Sequence, residues 1–350
     1  MDNQNGAQLK NALVAEEKLA LEVNDKMPIQ AAKIDKVFTN GQGREFFAVK
    51  NVSVCLREGE TLGLLGPNGA GKSTMFNILS TYHPYTSGYV RIFGKQLTSN
   101  SSFFKKTGIC AQDNIVWSTL SVASHLKIMR IIKNIPKKVQ DEWLEIMGLT
   151  RFKNNCPYQL SSGMQRKLCF LMTVIGNPKF QFLDEVTTGL DPLARKKMRE
   201  ILKYQKKFYG ATSVFTTHTM NEAERACDRI LILVNGQACV LESVSQLKKS
   251  IGGFTLTLMK KESPEPIGFE QKRIILRALG KKMREQDLVI AEETQQKAVF
   301  HVYNLGDLAG AFDGLEAIVK DGMFADFDLS MKNLEDLFLS VSKNQRPREE

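Results

Sequence analysis

From Ile34 to about Glu242, short apolar runs alternate with amphipathic stretches, a pattern that predicts strands and helices in layered α/β order. TLGLLG (61–66) reads as a strand that runs straight into GPNGAGKST and a helix carrying Met75, Phe76 and Leu79 on one face. FQFLDE (180–185) and SVFTTH (213–218) read as further buried strands. Ahead of them lies a helical block, SVASHLKIMRII and then PKKVQDEWLEIMGL, with Pro136 as a start signal and Gly148 as a stop. Asp191 and Pro192 open the long helix LARKKMREILKYQKKF, and Asn235-Gly236, between LILV and QACVL, marks a hairpin turn.

After about Ser250 the rhythm changes. FTLTLM, EQKRIILRALGKKM, LVIAEE, KAVFHVYN, LGDLAGAFDGLEAIVK and FADFDLS predict strand, helix, strand, strand, helix, strand, the order of a small ferredoxin-like α+β unit. Leu308, Phe312, Leu315 and Ile318 fall on one helical face, while Ala325, Phe327 and Leu329 alternate with Asp326 and Asp328 as a half-buried strand would. A closing helix, NLEDLFLSVSK, and a frayed tail over residues 344–350 complete the expected layout. The expected domains are a connector over 1–28, an α/β domain over 29–248 with a helical subdomain over about 113–172, and the smaller domain over 249–343.

Length and composition narrow the class. A chain of 350 residues suits about two domains. No apolar run reaches the ~18 residues a spanning helix needs, and the N-terminus lacks the basic start and apolar block of a secretory signal, so the cytosol is the expected compartment. Cys55, Cys110, Cys156, Cys169, Cys227 and Cys239 form no CxxC pair and mostly lie in apolar stretches, which predicts buried reduced thiols. The net charge of +10 raises nucleic acid or a lipid surface as partners. Yet the basic residues occur as scattered pairs such as Lys105-Lys106 and Lys206-Lys207, without interleaved aromatics, so they read as solvated helix faces and no specific nucleic-acid partner is expected.

GPNGAGKST (66–74) fits G-x-x-x-x-G-K-[ST] in the strand-to-helix context that pattern requires. Gly66, Pro67, Asn68, Gly69, Ala70 and Gly71 curl the backbone so that its N–H groups face phosphate, Lys72 reaches the β- and γ-phosphates, Ser73 offers its hydroxyl to Mg²⁺, and Thr74 follows. FQFLDE adds Asp184 as a metal carboxylate and Glu185 as the group that polarises an attacking water. Gln112, after GICA, is a candidate for the metal or the water, and His218 for the γ-phosphate. LSSGMQRKL (160–168) places small residues just ahead of a basic, apolar-striped helix, whose first-turn N–H groups are left for an anion.

These segments, with TTGLD (187–191), stand in the order and spacing of an ATP-binding cassette (ABC) ATPase, which residues 30 to 245 resemble. The resemblance implies an ABC-type phosphate-loop fold, with ATP and Mg²⁺ as cofactors and Ser73, Gln112 and Asp184 as metal ligands. It implies two cassettes facing head to tail, a copy or a different partner. In that arrangement Ser161, Ser162, Gly163 and Met164 of one cassette complete the ATP site of the other. The resemblance also implies that Asp191, in the TTGLD loop, is among the nucleotide-binding residues and that Phe38 stacks on adenine. Met164 in GMQRKL, the run after His218 and NLEDLFLSV resemble the A subfamily, associated with lipid and sterol transport, whose cassettes carry a regulatory domain over the region of 249–343.

Two departures stand out. Ser162 replaces the first glycine of the usual signature, and Val186 stands where proline often follows the glutamate. The leading expectation is an ATPase at the cytoplasmic face of a membrane, powering a transmembrane domain supplied by another chain or by a longer parent polypeptide. Alternatives are a soluble mechanochemical cassette and, from Ser162, a weakly hydrolysing regulatory subunit. Trp117, in DNIVWSTLSVASHL, is either core or part of the surface that meets the membrane domain.

Overall fold

A computed structural model describes residues 3–96, 103, 105–250, 253–261, 266–280, 283–332, 334–335 and 338, with no side-chain account for 3–8 and 250. The chain divides into two units, one within residues 1–245 together with Phe338, the other within 246–337.

The first unit starts with helix α1 (Asn3–Leu21) and the strands β1 (Ile29–Thr39), β2 (Glu45–Leu56) and β3 (Thr61–Leu65). Then come α2 (Lys72–Leu79), β4 (Ser87–Ile92), β5 (Lys95–Gln96), β6 (Thr107–Cys110), α3 (Val122–Lys133), α4 (Lys137–Ile146) and α5 (Ser162–Val174). It continues through β7 (Phe180–Asp184), α6 (Pro192–Tyr209), β8 (Thr212–Thr216), α7 (Met220–Ala226), β9 (Arg229–Val234) and β10 (Gln237–Ser243), with α8 (Val244–Ser250) crossing the boundary. Two sheets result, ordered β2-β1-β4-β5 and β10-β9-β3-β8-β7-β6. The first is antiparallel, whereas β9, β3, β8, β7 and β6 of the second run parallel and β10 closes its edge antiparallel.

Burial explains the parallel arrangement. All residues of β3, β7, β8 and β9 are buried, as strands covered on both faces must be. The sheets share one core with α2, in which Leu62, Met75, Phe76, Phe182, Val214 and Leu231 meet Ile29, Val54 and Val90, and the Phe76 and Phe182 rings pack edge to face at 5.8 Å. Because β3, β8, β7 and β6 run the same way, their C-terminal ends reach one edge, where the residues after each strand are brought together.

Local signals set the helix ends. Ser121 and Asp191 cap α3 and α6 through their side chains, Pro136 precedes α4, and Gly210 ends α6 in the left-handed conformation. Asn235 and Gly236 both have positive φ (50° and 76°), as a two-residue hairpin turn of this hand needs. None of the six cysteines is in a disulfide; Cys156 and Cys239 are only half-buried, whereas burial pushes the Cys55 and Cys169 thiols up to about 12.

The N-terminal stretch does more than connect. Leu9 and Ala20 of α1 are buried, and Glu16 enters the core beside Arg229 at the start of β9. Its carboxylate meets the Arg229 guanidinium at 2.7 Å and accepts from the Cys55 amide at 2.7 Å, while Glu60 meets Arg229 from the other side at 3.2 Å. Burial pushes the Glu60 carboxyl upward, and the Arg229 charge opposes that shift.

The second unit contains β11 (Phe254–Lys260), α9 (Phe269–Leu279), β12 (Leu288–Glu293), β13 (Lys297–Val302), α10 (Leu308–Lys320) and β14 (Phe324–Met331), in an antiparallel sheet ordered β12-β13-β11-β14. Gly314 lets α10 approach α9, since a Cβ there would lie 2.2 Å from the Ala278 carbonyl oxygen. Two details differ from the sequence expectation. The buried face of α10 is Ala311, Leu315 and Ile318, with Leu308 and Phe312 exposed, because the stripe centres on the contact with α9. In β14 a register shift opposite Met259 and Lys260 leaves Ala325 exposed and turns Phe324 into the core. Most of the expected closing helix and all of the tail lie outside the described residues.

Removing one partner of a buried ion cluster strands the others. Glu16→Ala should therefore lower unfolding free energy by about 3–5 kcal/mol in urea titration; an unchanged midpoint would show that α1 is not anchored through this carboxylate.

Candidate nucleotide site

The loop after β3 is shaped by contacts that only glycine permits. Gly71 has φ +95°, and a Cβ there would lie 2.3 Å from the Ala48 carbonyl oxygen of β2; at Gly66 the obstruction is Leu233 O of β9, also at 2.3 Å. Gly236, in the β9–β10 turn, supports the loop from behind by donating to Ala70 O at 3.2 Å and accepting from the Lys50 amide at 2.8 Å. Gly71 is the N-terminal cap of α2 and provides no side chain to satisfy the first-turn N–H groups, which stay available to an anion. Lys72 is buried with its ammonium donating to Gly66 O (2.9 Å) and Pro67 O (3.0 Å). Burial lowers its pKa, while Glu185 and Asp184 pull it back up. The loop and its helix thus form a cationic, donor-rich cradle.

Two carboxylates stand at the end of β7. Asp184, its last residue, is buried, and its Oδ1 accepts the Thr216 hydroxyl proton from the end of β8. The same Thr216 oxygen accepts from the Glu185 amide at 2.9 Å. One hydroxyl therefore orients the aspartate and the backbone of the glutamate. Glu185 has φ +45°, a left-handed conformation that costs a non-glycine residue about 1–3 kcal/mol and that aims its side chain back over the loop. Its Oε1 lies 3.6 Å from Nδ1 of His218, which is exposed. Burial holds the Asp184 carboxyl above the usual range, and the Thr216 hydrogen bond to the charged form opposes this. A buried carboxylate raised this way gains from a nearby cation, so Asp184, with Ser73 and Gln112 on the cavity wall, fits a hard oxygen-liganded divalent ion such as Mg²⁺.

Phe38, Phe46, Phe47, Ala48, residues 68–74, Gln112 and Glu185 line a cavity of about 410 Å³, within the range of small-ligand pockets. Phe38, expected on its own, pairs with Phe46 at 6.0 Å between centroids, and Phe47 stands beside them. All three are exposed, an apolar cluster of large rings on the wall of the cavity. The sequence reading missed Phe46 and Phe47, although the adjacent pair in REFF at the start of β2 was the available signal; for Thr216 nothing in SVFTTH separated it from a buried strand residue.

The remaining expected residues stand elsewhere. Ser161 caps α5, its hydroxyl accepting from the Met164 amide at 3.3 Å; Ser162 is exposed as the first residue of that helix, with Gly163 and Met164 half-buried. Asp191 caps α6 by accepting from Ala194 N at 2.7 Å and lies 3.4 Å from Lys167 of α5. The capping bond to Ala194 holds its carboxyl below the usual range. None of Ser161, Ser162, Gly163, Met164 or Asp191 lines the cavity. Gln112 is exposed on the cavity wall and His218 is exposed beside it, and Gly66 and Pro67 contribute through carbonyls held by Lys72.

A strand-to-helix phosphate cradle with two carboxylates at the neighbouring strand ends defines a phosphate-loop nucleotide-binding protein. Residues 49–188 match the family model described as ABC transporter, and the chain carries an ABC transporter ATP-binding domain. Over 310 residues it is 34% identical to the ABC-type organic anion transporter ABCA8B of Mus musculus (85% of this chain, 18% of that protein), and over 324 residues it is 29% identical to the cholesterol transporter ABCA5 of the same species (89% and 19%). The chain thus resembles A-subfamily members over most of its length but spans about a fifth of the curated relatives it matches. Among solved structures it is similar to the ATP-binding cassette MJ0796 in a dimeric post-hydrolysis state with ADP and Pi, at 26% identity and TM-score 0.56, covering 62% of this chain and 98% of that one.

The crowding at Gly71 gives a direct test of the loop. Gly71→Ala should cost about 1–3 kcal/mol of stability and weaken nucleotide binding, read by titration calorimetry, by at least about tenfold; unaltered affinity would mean that the loop's backbone does not hold the phosphates.

Proposed function

We propose that this chain hydrolyses ATP as one of two facing cassettes and that their closing and parting drives a membrane domain. The observation that carries the reading is the division of the site. The phosphate cradle, Glu185 and Gln112 share one cavity, while the Ser161–Met164 helix entrance lies outside it with Ser162 exposed. A single chain therefore offers half of the donors, and a second cassette presents the other half at its own Ser161, Ser162 and Gly163. That MJ0796 is a dimer supports this arrangement.

In the assembled site the loop N–H groups and Lys72 hold the phosphates, and the Phe38, Phe46 and Phe47 rings stack the base. Glu185 accepts a proton from the attacking water, and His218 stands at its flank to meet the γ-phosphate. Mg²⁺, held by Ser73, Gln112 and Asp184, would supply charge neutralisation on the phosphate oxygens. Asp191, the cap of α6, lies 3.4 Å from Lys167 within α5, so the loop ahead of α6 is tied to the helix that Ser161 opens. Ser162 adds a hydroxyl at the same entrance, and it can donate to the partner's phosphate.

The relatives, which are several times longer than this chain, support a role in transport. No described helix is long and apolar enough to cross a membrane; in this reading the spanning part belongs to another chain or to a longer polypeptide, and the cassette is peripheral on the cytoplasmic face. Trp117 is exposed and Ile131 and Ile132 stand out from α3, a surface suited to an apolar coupling segment. The relatives move an organic anion or cholesterol, which favours an amphipathic or lipid cargo read by the membrane part. The strand order and element order of the second unit support a ferredoxin-like regulatory domain over 249–343.

Glu185→Gln removes the base and keeps the cradle. It should bind MgATP, run as a dimer in size-exclusion chromatography, and turn over at least about 100-fold more slowly. Hydrolysis at the wild-type rate would refute the assignment of Glu185.

A further inference from the structure

Arg166 is a basic residue in the interior of the first unit, buried one helical turn into α5, and its guanidinium meets backbone carbonyls. Nη1 donates to Ala111 O and to Gln112 O (2.9 Å), Nη2 to Asp184 O, and Nε to Val186 O (3.2 Å). These acceptors belong to the two segments that present Gln112 and Glu185 to the cavity. A planar fork with five donors spans such a set, whereas an ammonium on a flexible stem does not. Four carbonyl dipoles converging on one buried cation also fix the geometry tightly, because any shift leaves charge or acceptors unmatched.

We propose that Arg166 is a positioning residue that transmits the placement of α5 to the catalytic groups of its own cavity. This rests on the two-cassette reading, in which the entrance of α5 touches the nucleotide held by the partner. Arg166 sits on the same helix, four residues after Ser162, and grips the backbone on both sides of Glu185. Contact with the partner's phosphate at one end of α5 is thereby conveyed through a rigid helix to Gln112 and Glu185 at the other site. Each composite site becomes sensitive to occupancy of its twin.

The test uses the full chain with Arg166→Lys and Arg166→Ala, folding checked by circular dichroism. The expected result is a Kd for MgATP within about twofold of wild type with kcat lowered at least about tenfold, because the phosphate cradle does not touch Arg166. The double variant with Gln112→Ala should be no slower than the slower single variant, since both act through one segment. A readout without turnover comes from Trp117, five residues beyond Gln112. With Trp143→Phe leaving it as the single indole, MgATP should change its fluorescence with Arg166 present and not in Arg166→Lys. A folded Arg166→Lys protein that keeps the wild-type kcat, loses Kd in proportion to rate, or retains the Trp117 response overturns the proposal. A wild-type chain that shows the Trp117 response without turnover sinks the hydrolysis reading and leaves this one standing.

Discussion

Four strands that run parallel must end on the same edge of their sheet, and the chemistry of this chain depends on that edge. β3, β6, β7 and β8 deliver the phosphate loop, Gln112, the Asp184-Glu185 pair and the Thr216–His218 segment to it. Parallel pairing in turn requires both faces of the sheet to be covered, which α2 and the antiparallel sheet achieve through a shared apolar core and α5 by packing on β6. Hydrophobic burial thus sets the geometry of a polar site to which it contributes no donor.

The edge is held from outside as well as from within. Ala48 of β2 and Gly236 of the β9–β10 turn confine the phosphate loop, and β9 begins at Arg229, the residue that anchors α1 through Glu16. A strand fixed at its start by a buried ion cluster and pressed at its end against the loop connects the N-terminal helix to the nucleotide cradle by rigid backbone. Arg166 plays a corresponding part on the other flank, between α5 and the carboxylate strand.

Much of this was legible in the sequence, for identifiable reasons. GPNGAGKST carries its own conformation, because Gly66 and Gly71 are required where a Cβ would strike a carbonyl, so the motif and its flanking strand and helix are specified locally. FQFLDE and SVFTTH were readable from unbroken apolar runs, and the α6 start from Asp191-Pro192. What escaped depends on contacts between distant segments. Thr216 gains its role by lying beside Asp184 across a strand pair, and Glu16 by meeting a residue more than two hundred positions away. Phe46 and Phe47 join Phe38 only through the β1–β2 hairpin register, in which Phe38 faces Phe46. In β14 a single register shift moved the buried face, which strict alternation cannot anticipate.

The central claim is that one folded chain holds only part of the grip on its triphosphate. Steady-state ATP turnover per chain, measured across protein dilution with the association state followed in parallel by analytical ultracentrifugation, tests it most directly. The account predicts that turnover per chain declines with the dimer fraction and vanishes in the monomer. A monomer that hydrolyses at the undiluted rate would contradict it.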